Sequence, residues 1–117
     1  MSKTMTVTLA GKELVLNLGT NRLYHLFKES TGEDLLLFGE GFDAVKLVTM
    51  AQGITYAGYY SECKLNKVQP EFTKEEIFEL VFDADQKYCA EIYNKINELN
   101  KQPGELDSQL KESALTS

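Results

Sequence analysis

The segment from Phe42 to Ser61 constrains the fold most, because apolar side chains recur around most of its circumference when it is drawn as a helix. Two sets at helical spacing make this pattern: Phe42, Val45, Val48, Ala51, Tyr56, Tyr59 and Tyr60, and then Leu47, Met50, Ile54 and Ala57. A helix that is apolar on most sides is a buried one. We therefore predict a long central helix, in which Gly53 and Gly58 let neighbouring elements approach closely.

Residues 6–18 predict a β-hairpin. Apolar and polar side chains alternate on both sides of Gly11 and Lys12, and alternation of this kind is typical of a strand with one buried face. Gly11 supplies the permissive backbone that the turn needs. A two-stranded ribbon is marginally stable alone, so we expect helices to cover its apolar face.

The first helix is predicted to begin at Thr20 or Asn21, either of which can cap it, and to end at Gly32. A connector over residues 35–41 then leads to the central helix. Its leucines and Phe38 are expected to lie under the core.

A third helix is predicted to begin after Thr73, because Thr73 and Glu76 have the spacing of a capping box. A break or bend is expected around residues 83–85. Beyond it, apolar residues at three- and four-residue spacing predict an amphipathic helix that continues to Leu99.

The resulting fold class is α+β, an N-terminal β-hairpin packed on about four α-helices, since one type of element follows the other in runs. With 117 residues, the chain fits one domain. We predict a single globular domain over 1–101 and a flexible, disordered acidic tail over 102–117, where large apolar residues are too few to be buried.

The charge argues against two classes of partner. The chain has 12 Lys and Arg against 18 Asp and Glu, a net charge of −6, and nowhere three basic residues in a row. Nucleic-acid binding relies on a basic patch, so we expect no nucleic acid. No apolar run approaches the roughly 20 residues that span a bilayer, and the first residues lack an apolar signal core, so we expect no membrane contact and a cytoplasmic location.

The polar residues do not suggest catalysis. His25 is the single histidine, and its neighbours in sequence suggest a partly exposed helix position. Cys63 and Cys89 lack a CxxC spacing and are expected to be reduced, packed thiols. We therefore predict that the protein is not an enzyme and has no catalytic residue, metal or cofactor.

Aromatic residues on two predicted helices are the candidates for partner binding. Rigid aromatic rings are enriched at protein interfaces. The candidate residues are Tyr56, Tyr59, Tyr60, Phe78 and Phe82. The alternative is that all of them fill the core.

The order of these elements resembles that of the small tail assembly chaperones of long-tailed bacteriophages. The resemblance rests on a strand pair and a helix, followed by "GFDAVKLVTMAQGITYAGYYSE", a connector and "PEFTKEEIFELVFD". In that family an "xxGlxxA" stretch occupies the place of "QGITYAG" here. The similarity covers about residues 5–100.

The resemblance implies a non-enzymatic protein, encoded by a phage or prophage and made in the host bacterial cytoplasm, that is absent from the mature virion. It implies binding to the tape measure protein, recruitment of tail tube subunits during tail morphogenesis and, in many relatives, a longer form made by frameshifting. Homo-oligomerisation is also possible, because an amphipathic helix can pack on a second copy.

Two alternatives use the same surface. The chain could be another small component of phage tail morphogenesis, which would remain in purified virions. It could also be a non-enzymatic adaptor or inhibitor of a host protein, which its gene neighbours would distinguish from a chaperone.

Overall fold

The computed structural model describes residues 3–35 and 43–99. Within these ranges it contains an antiparallel hairpin followed by four helices, so the predicted α+β architecture is confirmed. The elements are β1 (Thr4–Leu9), β2 (Lys12–Asn17), α1 (Asn21–Thr31), α2 (Ala44–Leu65), α3 (Lys74–Phe82) and α4, which covers 86–99. The predicted acidic tail and all but the first residue of the 35–41 connector lie outside the described residues.

The hairpin has the buried face that the alternation predicts, and its turn lies at Ala10 and Gly11. Val7 lies opposite Leu14, and Leu9 lies opposite Lys12 across a two-residue turn. Both turn residues have positive φ, 52° for Ala10 and 77° for Gly11. Turns with this backbone match the right-handed twist of the strands, so the ribbon stays paired to its tip.

Burial along the central helix α2 rises from its first turn to its middle and falls again in its last turn. Residues 43–45 are exposed, 46–49 are half-buried, and every residue from 50 to 59 is buried. α2 contacts α1, β2 and α3. The predicted central helix is therefore confirmed, and its first turns extend beyond the core.

Two glycines set how closely α2 is packed. A Cβ added at Gly53 would lie 2.6 Å from ring atoms of Phe27, and one added at Gly58 would lie 2.8 Å from Cβ of Leu16. Real Cβ atoms essentially never come this close to another heavy atom. The absence of a side chain at these positions is what lets α1 and β2 reach α2.

The structure confirms two of the helix ends predicted from the sequence and differs in part at a third. At the end of α1, Gly32 has a φ of 79° and donates its N–H to the carbonyl of Lys28 at 2.7 Å. Thr73 and Glu76 form both hydrogen bonds of the predicted capping box, at 2.8 and 3.1 Å. Thr20 occupies the N-cap of α1 as expected, but its hydroxyl makes no capping hydrogen bond.

The predicted break between α3 and α4 is confirmed. α3 ends at Phe82, and the carboxylate of Asp85 accepts a hydrogen bond from the N–H of Tyr88 at 3.0 Å, in the first turn of α4. The buried face of α4 has the predicted three- and four-residue spacing and consists of Tyr88, Cys89, Ile92, Ile96 and Leu99. These residues belong to the same hydrophobic cluster as the buried faces of the hairpin, α1, α2 and α3.

Candidate interaction surface

Aromatic rings of α2, α3 and the connector between them form one contiguous cluster. The ring centroids of Tyr56 and Tyr60 are 4.6 Å apart, and Tyr56 meets Phe78 edge-on at 6.4 Å. Tyr59 lies 5.9 Å from Tyr60 and 6.2 Å from Phe72. Tilted and edge-on aromatic pairs at these distances stabilise a fold by more than the burial of their apolar surface alone. The cluster therefore fixes α3 and its connector against α2.

Two tyrosine hydroxyls hold the connector that precedes α3. Tyr59 Oη accepts a hydrogen bond from the N–H of Glu71 at 2.8 Å, and Tyr60 Oη donates to the carbonyl of Phe72 at 2.7 Å. Burial raises the pKa of both phenols, because it disfavours the charged form. Both hydroxyls thus remain protonated at neutral pH and serve as structural partners of the backbone.

Two further side chains of α2 reach across the interior. Gln52 donates from Nε2 to the carbonyl of Phe78 at 3.1 Å, in the middle of α3. Thr55 Oγ1 and Tyr88 Oη lie 2.6 Å apart and share a buried hydrogen bond between α2 and α4. Satisfied buried polar groups of this kind fix the relative positions of the helices that they join.

The five candidate residues differ in how much of each side chain is accessible. Tyr56 and Tyr59 are buried, with 9% and 8% exposed, and Tyr60 and Phe78 are half-buried. Phe82 is 62% exposed. The interpretation in which all five fill the core is therefore wrong for Phe82, which is the candidate that a partner could contact without any rearrangement.

An apolar groove lies beside Phe82. It has a volume of about 330 Å³ and lies between the first turns of α2 and the α3–α4 junction. Among the described residues no charged side chain lines it; the lining residues are Ala44, Val45, Val48, Thr49, Gln52, Phe82 and Gln86. Val45, at 74% exposed, is the most exposed large apolar side chain in the described part of the protein. We call this feature the α2–Phe82 groove.

The sequence pattern alone did not identify this groove. Val45 and Val48 fit the helical stripe of α2, which predicts that they are buried, yet Val45 is exposed and Val48 is only half-buried against the core. Periodicity gives the face of a helix and not the point along its axis where its packing partners end. The signal that could have found the site is the exposed aromatic at the very end of α3.

The chemistry-bearing side chains occupy ordinary structural positions. No group of three or more His, Cys, Asp or Glu residues that could hold a metal ion occurs within residues 3–35 and 43–99. His25 is exposed, as the sequence predicts, and its Nε2 lies 3.6 Å from the carboxylate of Glu29. Cys63 and Cys89 are free, buried thiols, as predicted, and burial raises the pKa of each.

Comparison with known proteins finds no family model, no curated protein and no solved structure that matches the chain. Among the described helices, none combines the length and the apolarity that crossing a bilayer requires.

Proposed function

We propose that this protein is a non-enzymatic phage tail assembly chaperone, encoded by a phage or prophage, that binds the tape measure protein and helps to recruit tail tube subunits. The family comes from the resemblance of its sequence pattern. The observation that carries the binding role is the uncharged α2–Phe82 groove on the surface of a protein with a net charge of −6. Exposed apolar surface with a polar surround is typical of a site that binds another protein.

The groove has the shape of a receptor for an amphipathic helix. Val45, Val48, Thr49 and Gln52 follow the spacing i, i+3, i+4, i+7 and so form one face of α2. Phe82 and Gln86 form the opposite wall. A helix that lays its apolar face between two such walls buries the aliphatic and aromatic side chains of both partners.

Carboxylates lie next in sequence to residues of the groove and would keep a loaded complex soluble. Asp43 caps the start of α2, and Asp83 and Asp85 flank the end of α3; all of them are exposed. A net charge far from zero opposes self-association of an otherwise apolar assembly. Such a protein can hold a long apolar helix in the cytoplasm of the host and need not be part of the mature virion.

A charge placed in the groove tests this proposal. We expect Phe82→Asp to weaken co-purification with co-expressed tape measure protein by at least about 30-fold in apparent Kd, the effect of losing a contact worth about 2 kcal/mol. The matched control is Val68→Asp, because Val68 has 55% of its side chain exposed in the connector that follows α2 and lines neither the groove nor any other proposed site. Unchanged thermal unfolding of both variants would show that the loss is one of binding.

Equal retention of the tape measure protein by both variants would contradict the groove as its binding site. Failure of the parent protein to retain it at all would contradict the chaperone assignment itself. A further measurement addresses the place of action: mass spectrometry of purified virions should detect tail tube and tape measure peptides but none from this chain.

A further inference from the structure

A second cavity lies at the other end of α2, where its last turns meet the start of α1. It has a volume of about 380 Å³ and is lined by Thr20, Arg22, Ser61, Lys64 and Leu65. Two of these side chains are cationic, although the protein as a whole has a net charge of −6. Neither cation forms an ion pair within the described residues.

Two hydroxyl groups at this cavity have no hydrogen-bond partner. Ser61 is only 2% exposed, and its Oγ is buried without a partner among the described residues. Thr20 Oγ1 is likewise buried without a hydrogen-bond partner among the described residues. A buried hydroxyl without a hydrogen bond is unfavourable, and serines within helices commonly avoid this by bonding to the carbonyl four residues earlier. Because both hydroxyls lie at one cavity, we infer that a group bound in the cavity supplies their hydrogen-bond partner.

The start of α1 adds a third feature that favours a negative charge. Its first turn contains no acidic residue, and the hydroxyl at its N-cap leaves the free N–H groups of the helix without a side-chain acceptor. The N-terminus of a helix attracts anions through these N–H groups and the helix dipole. Glu62, next to Ser61 in sequence, accepts hydrogen bonds from the amides of Asn17 and Asn66 instead.

We propose that this cavity is a binding site for a single oxyanion, either a phosphoryl group or a carboxylate. The Arg22 guanidinium and the Lys64 ammonium supply the charge, and both classes of oxyanion accept hydrogen bonds from such donors. The hydroxyls of Ser61 and Thr20 turn about χ1, which has three staggered positions, to donate to the oxyanion. The site is separate from the α2–Phe82 groove and does not depend on the proposed function.

Binding of inorganic phosphate and of acetate to the full chain tests the proposal, with both titrated against sodium chloride at constant ionic strength. We expect saturable binding of at least one of the two by calorimetry, and a rise in Tm that follows its concentration. Phosphate binding would identify a phosphoryl ligand, and acetate binding a carboxylate. Chloride alone producing the same rise, or neither anion binding, would overturn the site.

Variants separate the site from general electrostatics. Arg22→Ala and Lys64→Ala should each raise the Kd of the bound anion about tenfold, a typical effect of losing a charge-assisted hydrogen bond. The matched control is Lys87→Ala, which removes an exposed lysine of α4 and should leave the Kd unchanged. All three residues are exposed, so none of these variants threatens the fold. Equal effects from all three would overturn the proposal.

Ser61→Ala gives a readout that a purely structural serine would not. In chloride buffer its Tm should equal or exceed that of the parent, because the substitution removes an unpartnered hydroxyl. A saturating concentration of the anion should raise the Tm of Ser61→Ala less than it raises the Tm of the parent. A lower Tm in chloride together with an unchanged Kd would assign Ser61 to the fold alone and overturn its role as a ligand.

Discussion

At the scale of single residues, the close packing of α1 on α2 depends on a missing side chain. Gly53 faces the ring of Phe27 and the methyl group of Thr31, at 2.6 and 2.7 Å from the position where a Cβ would lie. Phe27 is fully buried and cannot move aside into solvent. The contact between α1 and α2 is therefore set by Gly53 on α2 and by two side chains of α1.

We expect Gly53→Ala to lower the free energy of unfolding by about 1–3 kcal/mol, the usual cost of overpacking a core. The sign is informative, because alanine is a better helix former than glycine by about 1 kcal/mol in an open position. Denaturant unfolding measures the change.

A second substitution tests its cause. If Gly53→Ala destabilises through the Phe27 ring, Phe27→Leu should relieve part of the strain, and the double variant should be more stable than the sum of the two changes predicts. A coupling of at least about 0.5 kcal/mol is expected for residues in contact. Strictly additive changes in the free energy of unfolding would show that the strain does not come from the Phe27 ring.

The aromatic residues show what single positions in a sequence leave open. The pattern of α2 places Tyr56, Tyr59 and Tyr60 on a helix, but it does not say which of them meets the connector to α3. That depends on how residues 70–73 cross α2, where Glu71 and Phe72 offer backbone groups to Tyr59 and Tyr60. These contacts join residues 12 positions apart, and local periodicity contains no information about them.

At the scale of the elements, two helices begin with a threonine at the N-cap, and the two caps can be compared directly. Thr73 accepts a hydrogen bond from the N–H of Glu76 at 3.1 Å and forms a complete capping box, whereas Thr20 makes no side-chain capping bond. The same residue type thus begins two helices and contributes differently to each.

We expect Thr73→Ala to cost about 1 kcal/mol of unfolding free energy, since it removes the hydroxyl that accepts from the N–H of Glu76, while the bond from the N–H of residue 73 to the Glu76 carboxylate remains. Thr20→Ala in an anion-free buffer should cost a few tenths of a kcal/mol at most, because its hydroxyl has no partner to lose. Chemical denaturation of both variants provides the comparison. Equal losses would mean that the hydroxyl of Thr20 does cap α1.

Most of the elements could be predicted because each has a local signal. Alternation identifies the hairpin, and Gly32 and the Thr73–Glu76 pair mark helix ends. The positive φ of Ala10 and the exposed first turns of α2 could not be predicted, because no residue type at those positions announces them. The two proposed binding sites, the α2–Phe82 groove and the cavity at Ser61, arise where elements distant in sequence meet.

At the scale of the whole molecule, buried phenol and thiol groups make the stability of the fold depend on pH in the alkaline range. Burial raises the pKa of Tyr88 far above its ordinary range, although its hydrogen bond with Thr55 acts in the opposite direction. Burial also raises the pKa of Cys63 and Cys89. The folded protein therefore keeps protons that the unfolded chain releases above about pH 8.5 for thiols and about pH 10 for phenols.

Stability should consequently fall as the pH rises through this range, because the folded state binds more protons than the unfolded state does. In Tyr88→Phe we expect a smaller loss between about pH 10 and 12 than in the parent, together with a cost of about 1 kcal/mol at pH 7 for the lost hydrogen bond. Tyr24→Phe, at an exposed tyrosine, is the control. Urea unfolding across the pH series measures both effects, and identical pH profiles for all three proteins would contradict the assignment to Tyr88.

The complete burial of residues 50–59 has a consequence for the freedom of this sequence to change. A surface helix can drift on its solvent side while its inner side is conserved, but this stretch of α2 has no solvent side. Glycine faces α1 at one position and β2 at another, and polar side chains there are committed to partners on α3 and α4. An engineer who wishes to re-specify what this protein binds thus has the two ends of α2 to work with, and its middle has to be left as it is.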